Sequence, residues 1–396
     1  MFIFVNEADS QLVHLDADAF FASVEQAADR RLRRLPVAVG GGHRGIIASA
    51  SYEARALGIR TAMPTRTALR MCPDLRVVPG NFELYEEFSG NIFELCESIT
   101  PLVERTSIDE GYLSLAGWRG GTTAGPRVER IRQLNAEVAG WMKITLSTGF
   151  ATNKLVAQVA SKLRKPNGFV VVPRGAEGVF LAGLPLRRLP GIGPKTETVL
   201  AGIGIHRIGD LVHAGPDRLR PVLGSGTEGV LERARGIDPT PIRLEQEAAK
   251  SYGKQETFAE DMGDFEAVVR ILQGMIDAVM PRIREDHKQV RTLSLRIRYT
   301  DMEEATHAQS LDEPSDVEDA FYGRVRGMLR HVWRRRVHLR LVGVSFSNVY
   351  EGWGQRDLFD RRYEQQRRLA FVADELNTHY GAKHRPALQR ACHLLI

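Results

Sequence analysis

The chain has 396 residues and a formal net charge of +5, with an isoelectric point near 9.1; it is long enough for two to four domains and basic enough to permit a polyanionic partner. Its 43% hydrophobic and 26% charged residues are those of a soluble globular protein, and no apolar run is long enough to span a bilayer. Met1–Glu7 lacks the basic region and cleavage site of a signal peptide, and Cys72, Cys96 and Cys392 have neither disulfide nor zinc spacing, so a reducing, cytoplasmic setting without a membrane partner is expected.

Residues 13 to 23 read as a strand running into a helix. The apolar run ends abruptly in Asp16 and Asp18, which strand alternation would place on one face. Pro36–Gly40 is a second short strand, followed by a glycine-rich turn, Gly41–Gly45, that is neither a Walker loop nor a dinucleotide fingerprint. Ile46–Ala50 then leads into a helical turn, where Tyr52 and Arg55 fall three apart on one face. A phenol and a guanidinium so placed are able to grip a triphosphate, Arg55 by its planar fork; a surface salt bridge is the plainer use of Arg55. Residues 81 to 100 carry a helical period through Leu84, Phe88, Ile92 and Leu95, expected to face a core.

In Thr106–Leu115 two adjacent carboxylates, Asp109 and Glu110, lie between residues that read as strand ends. Neighbouring acids repel each other and resist burial unless a cation or donor compensates. If this strand pairs with the one ending in Asp16 and Asp18, three or four carboxylates converge, a set of hard oxygen donors suited to Mg²⁺. Two solvated acidic turns are the alternative. A helix through Val128, Ile131 and Leu134 follows, then a strand at Ile144–Phe150 and a helix at Asn153–Ser161 that closes on Lys162–Gly168. Strands alternating with helices in this order suit a ferredoxin-like domain.

Leu189–Thr196 reads as a helix-hairpin-helix turn. Gly191 and Gly193 allow close approach to a phosphate, and amides at the next helix N-terminus, beside Lys195, bind the anion without reading sequence. A purely structural tight turn is the alternative. Helices at Ala201–Leu211 and Leu223–Gly236 are expected to complete a small helical domain, and the polar stretch from Ile237 to Lys250 reads as a linker. Thr292–Tyr299 alternates apolar and polar residues as a half-exposed strand, with Arg296 and Arg298 on its polar face. Between Phe321 and Tyr350 stand Arg324, Arg326, Arg330, Arg334, Arg335, Arg336 and Arg340 with no acid among them, which suits a DNA backbone or a plain solvated face. Beyond Glu351, Leu358 and Phe359 form an apolar pair among charges, and Arg367–Tyr380 carries a helical period through Leu369, Val372, Ala373 and Leu376 to which no function is assigned.

Leu15–Glu25 resembles the opening motif of the Y-family (translesion) DNA polymerases, of the DNA polymerase IV type, and Ser107–Glu110 resembles that family's second acidic motif; the likeness runs from about Val13 to about Val349. The resemblance implies an α+β multi-domain, right-hand polymerase: a ferredoxin-like palm (1–23 and 81–170), small fingers (24–80), a helix-hairpin-helix thumb (171–236), a linker (237–250), a four-stranded α/β little finger (251–350) and a tail (351–396) with a clamp-binding peptide and a helix. It implies that Asp16, Asp109 and Glu110, with the carbonyl of Ala17 assisting, hold two Mg²⁺ ions that Mn²⁺ can replace. Asp18 is a supporting residue, outside the family's three metal carboxylates. Tyr52, Arg55 and Lys165 would bind the incoming triphosphate, and Phe21 would be the steric gate against a ribose 2′-hydroxyl; simple core packing is the alternative for Phe21 and the preferred one for Phe20. Gly191, Gly193, Lys195, Arg296, Arg298, Arg334, Arg335 and Arg336 would contact DNA, and Gln355, Leu358 and Phe359 would dock on the replicative sliding clamp. The implied activity is low-fidelity, template-directed addition of dNTPs to a primer 3′ end past damaged template, by a cytoplasmic monomer without proofreading. A nucleotidyl cyclase would share the acidic strands but has no use for the hairpin turn or the arginine-rich domain. A catalytically dead accessory protein should have lost acids that are present here.

Overall fold

The computed structural model describes residues 11–42, 44–118, 124–245, 247–352, 361–381 and 388. The chain divides into two compact units, Met1–Gln246 and Glu247–Ile396.

The first unit opens with β1 (Leu12–Ala17) and α1 (Phe20–Ala28), followed by β2 (Val37–Gly40), β3 (Ile47–Ala50), α2 (Tyr52–Ala56), α3 (Thr65–Met71) and β4 (Arg76–Val78). β2 pairs antiparallel with β3 and parallel with β4, making a small sheet over a core that includes Ala38, Ile47, Ile59 and Leu75. The chain returns through α4 (Phe82–Glu97), β5 (Val103–Arg105), β6 (Glu110–Ser114), α5 (Ala124–Met142), β7 (Leu146–Ala151), α6 (Lys154–Ser161) and β8 (Phe169–Val171). With β1 these strands form a five-stranded sheet in the order β5-β6-β1-β7-β8, in which β1 lies antiparallel to both neighbours. Both faces of β1 are covered, and Val13 through Ala17 are all buried, so its sequence is a continuous run instead of an alternation.

The face of α4 differs from the expected one. Tyr85, Ser89, Ile92, Phe93 and Cys96 are buried, while Leu84, Phe88 and Leu95 are only partly covered. Tyr85 and Ser89 carry polar groups that a hydrophobic count passes over, so the apolar period falls to one side of the true contact face. α5 follows the expected period: Val128, Ile131, Leu134 and Val138 enter the same core, each such burial stabilising by about 1.5–3 kcal/mol.

Four helices follow: α7 (Glu177–Ala182), α8 (Pro194–Gly202), α9 (Ile208–Leu223) and α10 (Thr227–Ala234). A helix over Ala201–Leu211 does not form. α8 stops at Gly202, Gly204 takes φ +81°, and α9 begins at Ile208. The Asp210 carboxylate accepts the backbone N–H groups of His206 (2.9 Å) and Arg207 (2.8 Å), fixing that new start. Ile203-Gly204-Ile205 is therefore a second tight turn between helices, read as helix interior because its flanks are apolar. α9 itself bends at Gly215, next to Pro216.

The second unit contains β9 (Tyr252–Met262), α11 (Phe265–Glu285), β10 (Lys288–Tyr299), β11 (Glu304–Ser315), α12 (Asp319–Val332), β12 (Leu339–Glu351) and α13 (Arg361–Tyr380). Its four strands form an antiparallel sheet in the order β11-β10-β12-β9, with α11 and α12 packed on one face. Leu293, Leu295, Ile297 and Tyr299 of β10 point into that core, leaving Arg296 and Arg298 on the opposite face.

α13 docks by its polar side, contrary to the apolar period in its sequence. Leu369 and Val372 are exposed. Asp374 instead meets the buried Arg284 of α11 at 2.6 Å, and Arg284 also bonds Glu318 (2.7 Å) and the Asp316 carbonyl (2.7 Å). Tyr363 and Arg367 donate to the Asp316 carboxylate at 2.7 and 2.8 Å. A buried guanidinium needs this full set of acceptors, and hydropathy alone cannot register it.

Candidate active site

The two acidic motifs meet through strand register. Asp16 stands opposite Glu110 on the antiparallel β1–β6 pair, and the Ala17 amide donates to the Asp109 carbonyl at 2.8 Å. Asp16, Ala17, Asp109 and Glu110 thus sit together where the central strands end. Asp109 lies in the turn just before β6, held by Ser107: its Oγ donates to the Asp109 carboxylate at 2.5 Å and accepts the amides of Asp109 (3.2 Å) and Glu110 (3.1 Å).

Converging carboxylates repel, and here two lysines answer them. Lys165 Nζ is bonded to the Asp16 carboxylate and lies 3.7 Å from Asp18. Lys162 Nζ lies 2.9 Å from Glu110 Oε2. Burial pushes the Asp16 carboxyl above its ordinary range, against the pull of Lys165. His14, one alternation back along β1, is fully buried, and that burial drives its pKa down to about 3, leaving a neutral ring.

Asp18 is not placed as strand alternation suggests. β1 ends at Ala17, Ala19 takes φ 48°, and the Asp18 carboxylate turns inward, 1% exposed. It accepts from Ser147 Oγ and Thr145 Oγ1 (both 2.8 Å), the Asn167 amide (2.7 Å) and Tyr52 Oη (3.4 Å). Its oxygens are taken by β7 and the chain after α6, which ties these segments to the end of β1.

Beside the acids lies a cleft of about 170 Å³ lined by Asp16, Asp109, Phe21, Arg55 and Lys165, together with Ser49 and Thr61. A larger hollow of about 370 Å³ between Ile99–Leu102 and Ala116–Trp118 has no ionisable side chain, so volume does not identify the site. Arg55 donates to the Ala50 carbonyl at 2.8 Å and its guanidinium sits over the Tyr52 ring, 4.9 Å from the centroid. Burial, reinforced by Asp18, pushes the Tyr52 phenol up to about 12. Phe21 is half-buried, stacked on Tyr85 with centroids 4.5 Å apart and edge-on to Phe82 at 5.8 Å, whereas Phe20 is core. Tyr85 is anchored by donation to Glu25 at 2.6 Å, so the Phe21 ring has a fixed backing.

The sequence reading missed His14, Lys162, Ser49, Thr61, Thr145 and Ser147. Lys162, Thr145 and Ser147 lie far along the chain from the carboxylates they approach, Ser49 and Thr61 enter only as lining of the cleft, and His14 meets Glu110 across the sheet. The donor set of Asp16, Asp109, Glu110 and the Ala17 carbonyl is all hard oxygen, and the ammonium on Asp16 marks where a cation is demanded, so these residues fit a hard divalent metal. Among the described residues no group of three or more His, Cys, Asp or Glu side chains is already drawn around one point.

Away from the acids, Gly191 takes φ +92° and Gly193 caps α8, whose first residue is Pro194. The positive φ at Gly191 turns the backbone in a way only glycine adopts without strain, leaving exposed Lys195 at the helix start. In the second unit Arg296 and Arg298 both bond Glu304, at 2.6 and 2.7 Å, Arg335 pairs with Asp301 and Glu303, and Arg334 donates to the His331 carbonyl at 2.8 Å. Arg326 pairs with Glu266. The arginine run is acid-free in sequence but not in space. Arg336 is exposed, and Gln355, Leu358 and Phe359 lie outside the described residues.

Asp16 and Glu110 on paired strands, with Asp109 at the adjoining turn, beside a basic, aromatic-walled cleft on an α+β sheet, are the arrangement of a nucleotidyl-transferring enzyme. Residues 15–162 match the impB/mucB/samB family and residues 249–358 its C-terminal domain. The chain is 49% identical to the DNA polymerase IV of Opitutus terrae over 93% of its length and 94% of that protein's. It is 34% identical to the DNA polymerase IV of Desulfatibacillum aliphaticivorans, over 94% and 95% of the two chains. Among solved structures, a Y-family DNA polymerase chimaera of Dbh and Dpo4 superposes with a TM-score of 0.77 at 25% identity, over 86% of this chain and 99% of that one. An insertion ternary complex of Dbh DNA polymerase gives a TM-score of 0.60 over the same shares. The chain belongs to the impB/mucB/samB family of Y-family polymerases: it is a DNA-directed DNA polymerase of the DNA polymerase IV type, which carries out low-fidelity translesion synthesis.

Proposed function

We propose that polymerisation is carried out at the cleft where Asp16 faces Glu110, on primer-template DNA with an incoming dNTP. The observation that carries this reading is the register of β1 on β6, which sets Asp16 against Glu110 with Asp109 at the adjoining turn, beside a cleft walled by Phe21, Arg55 and Lys165. Residues 1–23 and 81–170 act as palm, 24–80 as fingers, 171–236 as thumb, 237–250 as linker, 251–350 as little finger and 351–396 as tail.

Asp16, Asp109 and Glu110, with the Ala17 carbonyl, hold Mg²⁺, two ions per site. When bound, the metal supplies an activated primer 3′-hydroxyl and charge neutralisation at the leaving pyrophosphate. Lys165 and Arg55 take the triphosphate oxygens, and Tyr52 supports Arg55 from beneath through the ring contact. Lys165 leaves Asp16 as it does so. Phe21, backed by Tyr85 and Phe82, closes the space beside C2′ of the sugar. Gly191, Gly193 and Lys195 of the hairpin, with Arg296, Arg298, Arg334, Arg335 and Arg336, hold DNA by its phosphates and so position it without reading sequence. Primer extension on an undamaged template, with Mg²⁺ and with Mn²⁺, tests the reading. Extension that survives chelation of divalent ions would overturn the metal assignment.

Gln355, Leu358 and Phe359 form the sliding-clamp peptide of a cytoplasmic monomer. An apolar pair in a charged segment gains its binding energy in a partner's pocket. Changing Leu358 and Phe359 together to Ala should remove stimulation by a loaded clamp and leave clamp-free synthesis near normal. Loss of both, with a lower Tm, would place the pair in this chain's own packing.

A further inference from the structure

His14 has no part in the assignments above, yet it is fully buried within reach of Glu110. Its neighbours across the sheet are Tyr112 on β6 and Gly149 on β7. The Tyr112 ring meets it edge-on, with centroids 4.6 Å apart. Gly149 lets α6 lie directly on the strand, since a Cβ there would collide with the Ala157 carbonyl oxygen. That close approach brings Ser161 Oγ to 2.8 Å from His14 Nδ1. On the other edge of the ring, Nε2 has no hydrogen-bond partner and faces Glu110 Oε2 at 3.7 Å.

A neutral imidazole carries one N–H, on either nitrogen. A bare Nε2 would point its lone pair at the Glu110 carboxylate and be repelled; an Nε2–H would be attracted. The Ser161 hydroxyl has one proton, which it gives either to the Gln158 carbonyl at 2.9 Å or to Nδ1. Giving it to Nδ1 leaves the ring proton on Nε2, the arrangement the carboxylate favours. We propose that His14 is a positioning residue for Glu110: Ser161 donates to Nδ1, and the Nε2–H is held toward the carboxylate and fixes the direction it presents to metal. The one cation on that oxygen, among the described residues, is Lys162, at 2.9 Å. Lys162 is 38% exposed on a flexible stem, whereas His14 is locked into the central strand, so orientation is set by the imidazole. This rests on Glu110 being a metal ligand.

Three measurements test it. ¹⁵N NMR of the histidine-labelled protein should show the His14 ring protonated on Nε2; a proton on Nδ1 overturns the proposal. His14→Asn keeps only the near polar atom, while His14→Gln reaches the Nε2 position with an amide N–H. His14→Asn should lower kcat about 10- to 100-fold with KM for dNTP nearly unchanged, and weaken Mn²⁺ binding by a similar factor. Mn²⁺ is counted by electron paramagnetic resonance with primer-template and a non-hydrolysable dNTP present, so no turnover is needed. His14→Gln should recover most of both. Equal losses in the two variants with a lowered Tm, or full activity in His14→Asn, would make His14 a packing residue only. Glu110→Gln separates the two levels: if it leaves Mn²⁺ binding intact, the metal-site reading itself fails. If Glu110→Gln abolishes binding and His14→Asn does not weaken it, only the positioning role fails.

Discussion

The acidic end of β1 and β6 and the arginine-bearing face of the second unit meet the same problem with opposite signs. Carboxylates gathered at the first are met by Lys162 and Lys165; guanidiniums gathered at the second are met by Asp301, Glu303 and Glu304. The two differ in what it costs to open the pairs. The Asp16 side chain is 10% exposed and cannot be left bare, so whatever draws Lys165 away must be matched by another cation. Arg335 and Asp301 are 40% and 42% exposed, in contact with water and salt, so their pairing is weak and screened. On the proposed assignments the first region would therefore work as an exchange of lysine for metal, and the second as a graded electrostatic surface. Variants at each should behave accordingly.

The largest effect belongs to the acids. Asp109→Ala or Glu110→Ala should lower primer extension by at least about 10²–10³-fold while DNA binding, read by fluorescence anisotropy, persists. More than a few per cent of activity in either variant would remove that residue from the metal site. Next comes Phe21→Ala. The Phe21 ring is fixed against Tyr85 and Phe82, so its loss opens space that no neighbour refills, and ribonucleotide incorporation should rise about 10²-fold relative to dNTP. An unchanged preference would return Phe21 to core packing. Lys165→Met sharpens the exchange itself. It should raise KM for dNTP about 10- to 100-fold, the worth of a charge-assisted bond, and enlarge the gain in Tm on adding Mg²⁺, since metal no longer competes with the ammonium on Asp16. A smaller Mg²⁺-dependent gain than in the parent would mean that lysine and metal do not compete for Asp16.

How much of this was legible in the sequence follows the same division. The acidic motifs were readable because each is a short apolar stretch bounded by acids, Asp16 just before the end of β1 and Glu110 at the start of β6; only their pairing needed the structure, and the register supplied it. Asp18 looked equivalent to Asp16 because alternation assumes that the strand continues, whereas a left-handed Ala19 ends it. His14 and Lys162 were hidden because their meaning is entirely in what they face. The arginine run looked uncompensated because the reading counted acids along the chain. Glu266, Asp301 and Glu303 come from other elements, as does the Asp374 that receives Arg284. The missed turn at Gly204 and the outward apolar stripe of α13 have one cause: hydropathy records which residues are apolar, not which backbone bends or which polar groups are satisfied inside.

On the arginine face the effects are smaller. Replacing Arg334, Arg335 and Arg336 together by Ala should reduce the slope of log affinity against log salt by about one to three. The lower end is expected because Arg335 already holds two carboxylates. A slope that does not change would take all three arginines off the DNA.

The subtlest variant tests the comparison from the opposite side. One carboxylate, Glu304, holds both Arg296 and Arg298, and hydrogen bonds from the two guanidiniums keep its carboxyl below the usual range, so near neutral pH it is fully ionised and the pairs persist. Phosphate must compete with it for both guanidiniums. Glu304→Gln removes the charge and keeps the shape. If the face binds DNA, affinity at low salt should rise several-fold and the salt slope should steepen by up to about two, one for each arginine released. Tm should hardly move, because the pairs are exposed and screened. Unchanged affinity and slope would mean that Arg296 and Arg298 do not reach phosphate. A fall in affinity would show that Glu304 holds the two guanidiniums in the arrangement DNA requires, making the face a preorganised site instead of a graded one.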